Sequence, residues 1–150
     1  MLAAVRRHIQ KFKIGLLVID YLQLMQVIGW KENRTQDVTE ISRGIKLAAR
    51  KFSLPVIVLA QINRAAAIES RPPQLHDLRE SVAIEQDSDK VIFLHPESTT
   101  AVSVGIARPT HEVRMIVAKQ RDGKSGLYVK LLFLEKCARF EEQTKDADHE

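Results

Sequence analysis

One stretch limits the fold of this chain more than any other: Leu16-Leu17-Val18-Ile19-Asp20. Four consecutive apolar residues run directly into an acid. An apolar run without alternation predicts a strand buried on both faces, as in a parallel sheet covered by helices. A carboxylate at the carboxyl end of such a strand stands where open α/β sheets bind their ligands. The plain alternative is a buried strand that ends at an acidic turn residue.

The neighbouring pattern fits a parallel sheet. Residues 2–12 predict an amphipathic helix, with Leu2, Val5, Ile9 and Phe12 along one face, and residues 14–20 a first strand. After a long connection, Thr35 reads as a helix N-cap with Asp37 in the first turn. Val38, Ile41, Ile45, Ala48 or Ala49, and Phe52 then recur at helical spacing, while Glu40, Arg43, Lys46 and Arg50 face outward. Pro55 stops the helix, and residues 56–60 predict a second buried strand. Strand, helix and strand over this length form a βαβ unit with parallel strands and a right-handed crossover.

Beyond it the chain changes character. Residues 61–82 form a long polar connection, 90–94 a third strand, and 95–111 another loop. Residues 113–118 and 127–134 predict a β-hairpin joined by KQRDGKSG, and 137–140 a short last strand. The fold class is α/β: parallel strands with a crossover helix, followed by a C-terminal antiparallel hairpin.

Composition narrows the function classes. The 150 residues are 45% apolar and 28% charged, as in an ordinary globular domain. No apolar run is long enough to cross a bilayer, and the basic N-terminus does not read as a secretory signal. The single Cys137 excludes an internal disulfide and fits a reducing, cytoplasmic setting. The net charge is +4, but the last ten residues hold five acids and one Lys. Residues 1–140 therefore carry 22 basic and 14 acidic groups, or +8. That balance suits a nucleic-acid partner, although a solvated surface is its usual cause.

Several motifs invite chemistry, with unequal force. Asp20 has the form of a Walker B acid, which helps hold Mg²⁺ on a nucleotide phosphate. Gly123-Lys124-Ser125 imitates the end of a P-loop, but Ala118 stands where the first Gly belongs. A strand-like LYVKLLFL also comes next, where a P-loop opens a helix. These glycines read as turn residues. The five histidines and Cys137 lack metal-ligand spacing.

Five stretches occur in one order: LLVIDYLQLMQ, TQDVTEISRGIKLAARKFSLPVIVLAQINR, DLRESVAIEQDSDKVIFL, IVAKQRDGKSG and ARFEE. Together they resemble, over residues 2–142, the C-terminal part of the RecA-like motor domain of bacterial replicative DNA helicases of the DnaB type. Recombination ATPases of the RecA class share the fold and the Walker B strand. The DLRES and AKQR stretches favour the helicases.

The resemblance implies a truncated RecA-like core that uses ATP and Mg²⁺. Asp20 matches the Walker B acid, which acts on the metal through water. Gln61 matches the residue that contacts the γ-phosphate and reports hydrolysis to the DNA-binding loops; otherwise it is a strand-end amide bonded to loop backbone. Arg121 matches the arginine finger and Lys119 its companion, both reaching the ATP of a neighbouring subunit in a hexameric ring. Without the family they are two exposed basic hairpin residues.

Arg79, Glu80 and Val82 fall at the loop that lines the central channel and holds single-stranded DNA. Arg79 would meet a phosphate. Val82 departs from the family's usual Gly, and a β-branched residue restricts close backbone approach.

The family's Walker A loop and catalytic Glu precede the first strand seen here, and neither occurs in these 150 residues. Residues 1–142 are therefore expected to be a partial ATPase domain, inactive alone, with 143–150 as an acidic, disordered tail. Expected partners are single-stranded DNA, further copies or neighbouring helicase subunits, and a chain supplying the Walker A part, with no membrane. The competing expectation is a non-catalytic accessory protein that binds DNA or a helicase.

Overall fold

The computed structural model describes residues 2–27, 34–63, 71–78, 82–97 and 110–143. It divides into two compact units, Met1–Ser88 and Asp89–Glu150. In the first, α1 spans Leu2–Phe12, β1 Leu17–Ile19, α2 Arg34–Phe52, β2 Val56–Val58 and α3 Val82–Asp87. In the second, β3 spans Lys90–Pro96, β4 Thr110–Gln120, β5 Leu127–Leu134 and β6 Arg139–Glu142.

The expected βαβ unit is present. β1 and β2 pair in parallel, Leu17 opposite Val56 and Ile19 opposite Val58. Helix α2 buries Val38, Ile41, Ile45 and Ala48, the stripe expected from spacing. Val38 and Leu22 are the largest fully buried side chains among the described residues, and Ile19, Val56 and Val58 pack against their cluster. The helix ends in a Schellman arrangement. Leu54 N–H donates to Ala49 C=O, Ser53 N–H donates to Arg50 C=O, and Ser53 takes φ of 48°. Lys13, with φ of 46°, closes α1 by donating its N–H to Ile9 C=O.

Three expectations are corrected. The strands are not buried on both faces: Val18 and its partner Ile57 are 52% and 53% exposed. The pleat turns alternate residues to opposite faces, and the face bearing Ile19, Val56 and Val58 is the one packed on the core cluster. Phe12 is 58% exposed although it shares a helical stripe with buried Val5. Thr35 lies inside α2, which begins at Arg34; its C=O accepts a bond from Thr39 Oγ1.

The polar connection leads into a short helix. Val82 opens α3, six residues too few to reveal a helical period. Ile84 packs on the core cluster, and Asp87 accepts a 2.8 Å bond from the buried Ser42 of α2.

The second unit is a four-stranded antiparallel sheet in the order β3-β4-β5-β6. The predicted hairpin is β4-β5, with Val113 opposite Leu131 and Val117 opposite Leu127. Gly123-Lys124-Ser125 lies in its connecting turn, and a strand comes after it. The P-loop imitation is thus a hairpin turn, completed by Gly126 at φ 79°. Val91, Phe93 and Val113 form the buried part of this sheet. Residues 144–150 of the acidic tail lie outside the described residues.

Candidate functional site

The carboxyl ends of β1 and β2 are adjacent because the strands are parallel. Asp20 follows β1 directly and is exposed. Beyond the strands the two chains stay bonded: Leu59 N–H donates to Ile19 C=O, and Leu22 N–H donates to Leu59 C=O, both at 2.9 Å. Gln61 leaves the same end, also exposed. Two of the residues singled out from sequence therefore come off neighbouring strand ends, the position at which open α/β sheets bind ligands.

Gln23, which sequence reasoning passed over, fixes the backbone at Gln61. Its Nε2 donates to Gln61 C=O and its Oε1 accepts from Gln61 N–H, both at 3.2 Å. Gln23 sits in a 3₁₀ turn, Leu22–Leu24, anchored by the buried Leu22. Arg34, at the start of α2, donates to the carbonyls of Gln23 and Met25 at 2.6 and 3.1 Å. A side chain from the β1 end thus holds the backbone of Gln61.

The residues expected in a DNA loop are described in part. Arg79 and Glu80 lie outside the described residues. Val82 is 72% exposed at the first position of α3, so its β-branched side chain stands on helical backbone. The turn before Arg79 is closely held. Asp77 is 3% exposed, and its carboxylate accepts from both terminal nitrogens of Arg71 and from Gln74 N–H. These bonds hold the Asp77 carboxyl well below the usual carboxylate range, the Arg71 guanidinium being the largest cause.

The second unit carries the two remaining site residues. Lys119 lies in β4 opposite Val91, next to an irregularity in the β3-β4 register between Val91 and Ile92. Arg121 lies one residue beyond β4, in the turn. Its Nη1 is 2.8 Å from Asp89 Oδ1, and its N–H donates to Asp89 C=O at 2.9 Å. Both side chains are about half exposed, so the pair holds Arg121 loosely. Asp89 had no sequence signal beyond its place in IEQDSD.

Asp20 is an exposed single carboxylate, and no group of three or more His, Cys, Asp or Glu gathers among the described residues. This donor set suits Mg²⁺, which keeps several waters and takes one or two carboxylates beside substrate phosphates. It does not suit a metal caged by protein ligands. No helix of the described residues is long and apolar enough to cross a membrane.

Comparisons with known proteins agree with this geometry. The family described as the DnaB-like helicase C terminal domain matches residues 1–142. The replicative DNA helicase DnaB of Geobacillus stearothermophilus is 41% identical over 92% of this chain and 30% of its own length. The replicative DNA helicase DnaC of Bacillus subtilis is 39% identical over 92% of this chain and 30% of its length. The chain thus spans under a third of these relatives.

Among solved structures, an ATPase domain superposes with a TM-score of 0.78 at 32% identity, covering 95% of this chain and 50% of that one. A DnaB-like replicative helicase, solved in a study of its interactions with primase, gives 0.76 at 33% identity, covering 93% and 33%. The RecA-like fold class rests on these neighbours. With a family match over nearly its whole length, the chain belongs to the DnaB-like helicase C-terminal domain family.

Proposed function

We propose that this chain is the part of an ATP-driven replicative DNA helicase motor that senses the nucleotide and couples it to DNA. The carrying observation is the convergence of Asp20 and Gln61 at neighbouring ends of parallel strands in a chain of this family. Asp20 holds the water shell of Mg²⁺ bound to ATP. Gln61 offers a neutral amide to the γ-phosphate without adding charge. When bound, Mg²⁺-ATP supplies the phosphoryl group and the free energy of its hydrolysis.

Arg121, with Lys119 beside it, reaches the nucleotide of a neighbouring subunit in a hexameric ring. There it stabilises charge on the transferring phosphoryl group. For that step Arg121 exchanges Asp89 for phosphate, an exchange that an exposed ion pair permits at small cost. Arg79, with Glu80 and Val82, meets the phosphates of single-stranded DNA. A cytoplasmic setting accords with this role.

A polypeptide of these 150 residues contains no GxxxxGKS or GxxxxGKT sequence. Positioning and electrostatic stabilisation act together in phosphoryl transfer, so this polypeptide alone is proposed to be inactive. The test is ATP hydrolysis by the chain with and without a companion polypeptide carrying the Walker A part. Activity is expected only in the mixture, stimulated by single-stranded DNA and lost in Arg121→Ala. Equal hydrolysis by the chain alone contradicts the proposal.

The Val82 substitution favours a second reading, a non-catalytic protein that docks on a helicase ring or on DNA. It requires co-elution with an intact helicase and a changed ATPase rate in the ring. Neither is expected on the first reading unless the Walker A part is supplied.

A further inference from the structure

A closely bonded acid of the first unit lies outside the roles above. Asp77 receives Arg71 through two parallel bonds, Nη1 to Oδ2 at 2.7 Å and Nη2 to Oδ1 at 2.8 Å. Gln74 N–H donates to Oδ2 at 2.8 Å, and His76 Nε2 lies 3.7 Å from Oδ1. A forked guanidinium on a carboxylate fixes direction as well as distance. The backbone of the same residue faces the other way. Asp77 C=O accepts a 2.8 Å bond from Asn63 N–H, and Leu78, itself buried, bridges Ile62.

Those partners lie directly after Gln61. The strand end whose backbone is held by Gln23 therefore continues, within two residues, into contacts with the turn that precedes Arg79 in sequence. We infer that Arg71 and Asp77 form a clasp that positions the entry to the DNA loop on the strand end carrying Gln61. This rests on the reading of the Arg79 segment as a DNA loop. In this role Asp77 and Arg71 are positioning residues, acting through the turn they hold. The clasp gives a shift at Gln61 a short, bonded route to the turn before Arg79.

Charge gives the clasp a distinctive test. Measure binding of a fluorescent oligo-dT of about 20 nucleotides to the unaltered 150-residue chain, Asp77→Asn, Arg71→Ala, Arg71→Lys and the double variant Arg71→Ala/Asp77→Asn. If Asp77 acted only as a charge, Asp77→Asn would tighten binding by removing repulsion from phosphate. A clasp requires the opposite sign. Asp77→Asn and Arg71→Ala should each weaken binding on the order of tenfold, the scale of a charge-assisted hydrogen bond. The double variant should be no weaker than the weaker single, because both remove one interaction. Arg71→Lys, which keeps the charge but loses the fork, should recover only part of the affinity.

Amide exchange at Asn63 is read in parallel, without DNA. Its protection should fall in Asp77→Asn and Arg71→Ala. Unchanged protection, or tighter DNA binding by Asp77→Asn, overturns the clasp. If the unaltered chain fails to bind oligo-dT at low salt, the DNA-loop reading falls and the positioning role falls with it. The exchange result then still registers whether Arg71 and Asp77 hold the turn.

Discussion

The two units hold their candidate site residues by different means. In Met1–Ser88 the paired strands have three residues each, too few to fix the segments beyond their ends. The ends are held by two further backbone bonds and by side chains: Gln23 on the backbone of Gln61, Arg34 on the carbonyls of Gln23 and Met25, and Arg71 on the carboxylate of Asp77, whose C=O accepts from Asn63 N–H. In Asp89–Glu150 an eleven-residue strand pairs with two neighbours, with one irregularity in its register against β3, and Arg121 emerges from its end by continuation of the ladder. Short strands need side-chain scaffolding, whereas a long ladder carries its terminal residue. Substitutions in the first unit should therefore act through named scaffolding groups, and those in the second should be absorbed.

The largest effect expected from this contrast is in the core. Leu22→Ala removes the side chain on which the Gln23 turn rests, 2% exposed, and should cost about 2–5 kcal/mol in urea denaturation. Leu127→Ala, at a residue 56% exposed in β5, should stay within about 0.5 kcal/mol. Equal costs would break the comparison.

Acid probes the scaffolding next. Asp77 has its pKa lowered from an ordinary 3.8, mainly by Arg71. A depressed carboxylate contributes stability that is fully present above its unfolded pKa and is lost as pH falls through its folded pKa. Protection of the Asn63 amide should therefore survive at about pH 4, where an ordinary aspartate is already half neutral. It should fail only in stronger acid. Loss of protection near the ordinary value would show the carboxylate to be unclasped.

Ser42→Ala is a smaller probe of the same unit. It removes the bond to Asp87 that ties α2 to α3, and should cost about 1 kcal/mol. Faster amide exchange should be confined to α3. The smallest effect is expected at Asp89→Asn. That pair is about half exposed on both sides, so stability should change by less than about 1 kcal/mol and less still at high salt. A larger loss would mean that Arg121 is scaffolded after all.

Legibility in the sequence follows local signals in both units. The α2 stripe, the parallel pairing and the β4-β5 hairpin were readable because each rests on a local period or a turn signal. The exposure of Val18 and Ile57 was not, since an apolar run states what a strand can bury and not what lies over it. Helix α3 was too short to show a period.

Site residues divide likewise. Asp20 and Gln61 are singled out by their strand ends together with the family resemblance. Gln23 and Arg71 were missed because a hydrogen bond to backbone across 38 residues, or a fork closed over Pro72 and Pro73, leaves no repeat in the chain. Asp77 was visible within DLRES, yet nothing in that motif tells that its carboxylate is spent on Arg71.

The most direct test of the Asp20–Gln61 assignment is Mg²⁺-dependent binding of a fluorescent ATP analogue to the purified chain, alone and with a polypeptide carrying the Walker A part. No saturable binding is expected for the chain alone. Saturable binding is expected in the mixture, weakened by Asp20→Ala. Saturable binding by the chain alone, unaffected by Asp20→Ala, would contradict the assignment and place the nucleotide elsewhere.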